Sequence, residues 1–231
     1  MGRPEGVTHR SLDGVRVRLG GPHELDRPCT SVARIADSGR LHEINGGTRD
    51  AARSWAADIG VGRFVEEFRI HDGRLRVGRT ETADPATGRR EPVLAAVWEG
   101  RRHAVFTHLY HARPADAVAF FGTLRLAEHE DGVVAVPRGR ARRIEPAELV
   151  KEVPGIGLLE VTVLNAQTRR RLPPWPGARV ADGELFQDSV EGQGAYFLLA
   201  LKSLLVTVLP ERDQARDVPR RLAGLAVEAV R

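Results

Sequence analysis

The sequence has little of several things, and each shortage excludes a class. One cysteine, Cys29, stands in 231 residues, so no disulfide can form within the chain and no CxxC metal or redox motif exists. Only Lys151 and Lys202 are lysines among 35 basic residues; the other 33 are arginine. Aromatics make up 5% of the chain. The longest apolar run, Ala195 to Pro210, is broken by Lys202 and Ser203 and falls short of the ~18 apolar residues of a membrane span. Ser-His-Asp order, GxSxG, HExxH, a P-loop and GxGxxG are all absent, and no cofactor signature takes their place.

What is present describes a globular chain, 42% hydrophobic and 29% charged. The 31 acids hold the formal charge to +4, which excludes a histone-like basic tail but not a local basic patch. Arginine codons are GC-rich and lysine codons are not, so the bias reads as that of a high-GC bacterium. The opening stretch, 1–14, carries no apolar signal segment and reads as a flexible leader. A cytoplasmic location is the expectation.

Several patterns predict local structure. VRVRL at Val15 to Leu19 alternates as a strand does. A short helix is expected near Ser31 to Ala36. Thr48 suits the cap of a helix over 49–59, with Ala52, Trp55, Ala56 and Ile59 on one face. Strands over 64–70 and 74–79 flank His71-Asp72-Gly73, a hairpin signal, and their parity puts Phe64, Glu66 and Phe68 on a core face. A second hairpin joins 93–98 to 103–111. Pro114 opens a helix with Ala117, Phe120, Phe121 and Leu124 as its stripe. A third strand pair is expected over 123–127 and 133–136.

Beyond a linker at 138–153, strands are expected at 158–164 and 179–186, with a hairpin over 195–209. A final helix begins at Pro219, with Leu222, Leu225, Ala226 and Ala229 as its stripe. The stretches 93–126 and 195–230 share one order of strand, turn, strand, loop, proline and helix, which suggests an internal duplication.

The expected fold class is therefore α+β: antiparallel sheets with packed helices, in two related halves. The expected organisation is a leader at 1–14, one half at 15–137, an Arg-rich linker at 138–153 and a smaller half at 154–231. The order of long antiparallel strands followed by one helix, over about 64–126, resembles the Mog1/PsbP-like α/β/α sandwiches. That resemblance implies helices layered on both faces of a sheet.

Candidate sites follow from residue type. His71, His103, His108 and His111 could line a pocket. On one strand, however, His103 and His111 would lie roughly 26 Å apart at ~3.3 Å per residue, too far for a shared metal. Arg138, Arg140, Arg142 and Arg143, joined by Arg169, Arg170 and Arg171 with Trp175 as a stacking platform, could neutralise phosphates. Cys29 would be activated if a helix began just after it. Gly46-Gly47-Thr48 could hold an anion at the start of its helix. The leading expectation is a non-catalytic binding or assembly module that meets a protein partner through a sheet face or edge. The alternatives are a nucleic-acid binder using the Arg-rich loops and an enzyme with a His-lined pocket.

Overall fold

A computed structural model describes residues 6–37, 40–83, 88–139, 142–192, 194–211 and 215–230. The chain is mostly β, with 58% strand and 13% helix, so the expected α+β class with packed helices is corrected, and the α/β/α sandwich with it. Two expected helical stretches explain the difference. The residues expected as a helix after Cys29 form a strand, because Ser31, Ala33 and Ile35 are buried at a period of two. The last helix keeps five residues, Val218–Leu222; past Gly224 the chain becomes a strand, Ala226–Val230.

In chain order, β1 (Gly6–Arg10), β2 (Arg16–Gly20), β3 (Cys29–Asp37) and β4 (Arg40–Thr48) lead to α1 (Arg49–Asp58). Thr48 caps α1 as expected, its Oγ1 accepting from the Ala51 N–H at 3.1 Å. Then come β5 (Phe64–Ile70), β6 (Gly73–Ala83), β7 (Arg90–Glu99), β8 (His103–Tyr110) and α2 (Pro114–Gly122). After them run β9 (Leu124–His129), β10 (Gly132–Pro137), β11 (Arg142–Ile144), β12 (Glu148–Val153) and β13 (Gly157–Val163). The remaining elements are β14 (Ala178–Val180), β15 (Gly183–Val190), β16 (Gly194–Leu201), β17 (Leu204–Pro210), α3 (Val218–Leu222) and β18 (Ala226–Val230).

The chain divides into two compact units, each assembled from separated segments. Unit 1 comprises residues 1–9, 15–29 and 146–231; unit 2 comprises 10–14 and 30–145. The stretch 138–153, expected as a linker, contributes β11 to unit 2 and β12 to unit 1.

Unit 2 holds an antiparallel sheet in the order β3-β4-β8-β7-β6-β5, with β11 paired to β3 and a β9–β10 hairpin besides. Unit 1 holds a sheet in the order β12-β13-β17-β16-β15-β14, with β18 paired to β2. Numbered within its own unit, each six-stranded sheet runs first, second, sixth, fifth, fourth, third.

The apolar patterning explains both cores. In unit 2, Ala52 of α1 packs with Val97, Ala104 and Phe106, so α1 covers one face of β7 and β8. The helix α2 lies against β5, β6, β7 and β9 and buries Ala117 and Phe121. In unit 1, Leu149, Leu159, Val161, Phe197 and Val206 bury with Val218, Leu222 and Leu225. Gly46 is a packing requirement of β4, since a Cβ there would meet the Leu12 side chain at 2.8 Å. A bulge between Phe64 and Glu66 breaks the parity of β5, and Glu66 is exposed instead of facing the core.

The two phenylalanines of α2 separate core from surface. Phe121 is fully buried while Phe120 is half-buried. Phe121→Ala should cost ~3–5 kcal/mol in urea unfolding, as buried Phe truncations do, and Phe120→Ala clearly less. Equal losses would contradict this assignment.

Candidate functional site

Among the described residues of unit 2, a cleft of about 850 Å³ opens between the outer ends of β4 and β8 and the side of α2. Its origin is the β4–β8 ladder. The two strands pair from Thr48 opposite His103 to Asn45 opposite Phe106. There the pairing stops, and the Thr107 hydroxyl donates to the Glu43 carbonyl at 2.5 Å in place of a ladder bond. Beyond that point Leu41, His42 and Glu43 line one wall and His108, Tyr110 and His111 the other. In unit 1 the second and sixth strands, β13 and β17, stay paired from Val163 opposite Leu204 to Gly157 opposite Pro210.

Alternation along β8 places His108 and Tyr110 in line with Ala104 and Phe106, past the reach of α1. Their rings meet edge-on with centroids 5.3 Å apart. Across the cleft, the His42 ring lies 5.3 Å from Phe120 of α2. Leu41 and Tyr110 are 59% and 52% exposed, unusual for large apolar groups in one cleft. Asp37, Glu43, Asp116 and Arg142 complete the polar lining. Arg142 Nε donates to Asp37 Oδ2 at 2.8 Å. Asp116 accepts from the Arg113 backbone N–H at 2.8 Å, and that bond, with the Arg113 side chain, holds its carboxyl below the usual range.

The structure separates the four candidate histidines. His108 and His111 share the cleft, and His111 sits at a left-handed φ of 52° just past β8. His71 occupies the two-residue β5–β6 turn at φ 54°, its Nε2 3.1 Å from the Phe121 carbonyl. His103 lies beside Glu128, with Nδ1 3.4 Å from the carboxylate. Among the described residues no group of three or more metal-ligating side chains converges. His42, Tyr110 and Phe120, which sequence spacing did not single out for a site, complete the ring set. The end of the β4–β8 pairing and the position of α2 bring them to one cleft.

The arginine candidates also part. Arg138, Arg142 and Arg143 belong to unit 2, while Arg169, Arg170, Arg171 and Trp175 belong to unit 1. Arg140 lies outside the described residues. Arg142 is engaged by Asp37, and Arg171 by Glu148 at 2.9 Å and Glu160 at 3.7 Å. Arg138, Arg143, Arg169 and Arg170 are exposed, as is Trp175. Two of the six described arginines are thus occupied by carboxylates.

Two charged clusters were not foreseen. Glu99 of β7, with its carboxylate side chain 1% exposed, is ringed by Arg49 at 3.3 Å, Arg76 at 3.5 Å and Arg74 at 3.9 Å. Such a buried charge is tolerable only with partners of this kind. Glu128 of β9 sits in a nest at the β7–β8 turn, accepting backbone N–H bonds from Arg101 (2.9 Å), Arg102 (2.5 Å) and His103 (2.6 Å). Burial works to raise its carboxyl, but these bonds outweigh burial and hold it below its usual value. Cys29 begins a strand, not a helix. Burial pushes its thiol up to about 12, against the pull of Lys151.

Comparison with protein-family models, with curated proteins and with solved structures returned no match for this chain.

Two outcomes check these assignments. Cys29 should resist iodoacetamide at about pH 8 in the native protein and react once the chain is unfolded, because thiolate is the reactive form; prompt native alkylation would refute the raised pKa of the thiol. Glu128→Gln should cost about 1.5–3 kcal/mol near neutrality, the range for hydrogen bonds to a charged group. Because the folded carboxyl is depressed, that advantage is full above the ordinary carboxylate range and is lost as pH falls through the folded value. Urea midpoints of the two proteins should converge in acid; a gap unchanged down to about pH 3 would contradict the nest.

Proposed function

We propose that this chain is a non-catalytic binding module and that the unit 2 cleft is where it takes a ligand. The observation that carries the reading is the early stop of the β4–β8 ladder. The same position in unit 1 is closed by continued pairing. The shared strand order is what an internal duplication leaves behind, and on that reading the cleft is a difference acquired by one copy. Its volume lies within the ~300–1,000 Å³ of ligand pockets, and its lining mixes rings with a few polar groups.

Binding is favoured over catalysis by how the polar groups are held. Among the described residues His111 faces Glu91 at 3.8 Å, and His108 contacts only the Tyr110 ring. A nucleophile, a base and an orienting acid within hydrogen-bond reach of one another would favour an enzyme instead.

A partner added at a sheet edge has weaker support. The outer strand of the six-stranded sheet in unit 2, β5, is bulged and carries exposed Glu66, Glu67 and Arg69, and that of unit 1, β14, has three residues. Short, charged and bulged edges resist strand addition. Nucleic-acid binding rests on the exposed Arg138, Arg143, Arg169 and Arg170, and steep salt dependence is its signature.

A mixture of neutral aromatic fragments, titrated into the isotopically labelled full chain, should move amide resonances of 41–43, 108–112 and 116–120. Ala119→Trp, on the exposed wall of α2, should abolish those shifts with the melting temperature little changed. Shifts scattered over both units, or none at all, would overturn the reading.

A further inference from the structure

Resting on the reading of this cleft as a binding site, we infer the class of its ligand: an organic cation with a flat apolar body. The first argument is charge. The chain as a whole is +4, yet among the described residues the cleft is lined by Asp37, Glu43 and Asp116 against one guanidinium, that of Arg142, and the imidazoles of His42, His108 and His111. That guanidinium already donates to Asp37, so an anionic ligand would have to break an existing ion pair to reach it.

Asp116 is held by Arg113. Glu43 differs: its backbone carbonyl takes the Thr107 hydroxyl, while its exposed carboxylate has no partner among the described residues. It is the acceptor left for an incoming ammonium or amidinium group. The field of the lining favours a cation for the same reason that concave surfaces of one sign concentrate counter-ions.

The second argument is the rings. Two aromatic pairs, His42 with Phe120 and His108 with Tyr110, are among the lining residues, the first beside α2 and the second on the sheet face that α1 covers further along β8. Their geometries differ, with interplanar angles of 53° and 85°, so the pairs present both ring faces and ring edges. Faces of Tyr and Phe attract cations, and ring edges pack against a flat apolar body. Exposed Leu41 and Tyr110 supply apolar surface that a purely polar solute would leave wet. A phosphate-bearing ligand is disfavoured by the same lining, because the Arg142 guanidinium is already engaged by Asp37 and carboxylates stand around it.

Three matched probes test the inference on the full chain: phenethylammonium, 3-phenylpropanamide and 3-phenylpropionate, at equal ionic strength, followed by chemical-shift titration. The ammonium should shift His42, Glu43, His108 and Tyr110, and the carboxylate should bind about tenfold more weakly or not detectably. Glu43→Gln, an exposed change that leaves packing intact, should weaken the ammonium about three- to tenfold and leave the neutral amide unchanged. A carboxylate that binds as well as the ammonium would overturn the charge class, as would indifference of the ammonium to Glu43→Gln. Either result leaves the cleft itself standing as a site if the amide or neutral fragments still bind there. If none of the three probes and no neutral fragment binds in the cleft, the site and its ligand class both fall.

Discussion

Each N–H and C=O of a β-strand needs a partner, and the outer end of β8 has its ladder on one side only. Toward β7 the pairing runs unbroken to Val93 opposite Tyr110. Toward β4 it ends at Phe106. This single interruption opens the cleft that His42 and His108 line and at which Tyr110 and Leu41 are exposed. The Thr107 hydroxyl, bound to the Glu43 carbonyl, meets one backbone acceptor at the point where the strands part.

The two units show how one strand order yields different surfaces. In unit 1 the equivalent pair stays closed along its length, and its polar groups are spent on one another: Arg171 with Glu148 and Glu160, Tyr196 with Asp188. Lys151, 2% exposed, gives its ammonium to the Arg27 carbonyl, and burial lowers its pKa. These contacts stabilise a packed interior. Unit 2 keeps its charged networks at the β7–β8 turn and around Glu99, and it leaves the other end of the same strands open.

Much of this was legible in the sequence because the signals are local. Thr48 before an amphipathic run fixed α1, and Arg113-Pro114 fixed α2. The match to the order of elements over 93–126, with Val206, Thr207 and Val208 as strand formers, favoured a hairpin over a buried helix at 195–209. The failures have physical causes. Cys29 to Asp37 carries small residues at buried positions, so its period of two is weak to the eye. One inserted residue in β5 reversed the parity on which the burial of Glu66 depended. The brief α3 gave way to a strand because Gly224 ends it and Ala226 to Val230 can pair with β2. The site was half legible: His108 and His111 were named, but their association with His42, Tyr110 and Phe120 depends on cross-strand register and on where a ladder stops. The arginines were conspicuous by number, yet Arg142 and Arg171 proved to be held by carboxylates.

The most direct test of the open ladder is amide hydrogen exchange resolved residue by residue. Along β17 the amides of Leu204 to Leu209 should all be slow. Along β8 those of Ala104 to Phe106 should be equally slow, whereas alternate amides from Thr107 to Tyr110, the ones turned away from β7, should exchange at rates typical of loops. Uniform protection through Tyr110 would show the ladder closed and contradict the account of the cleft.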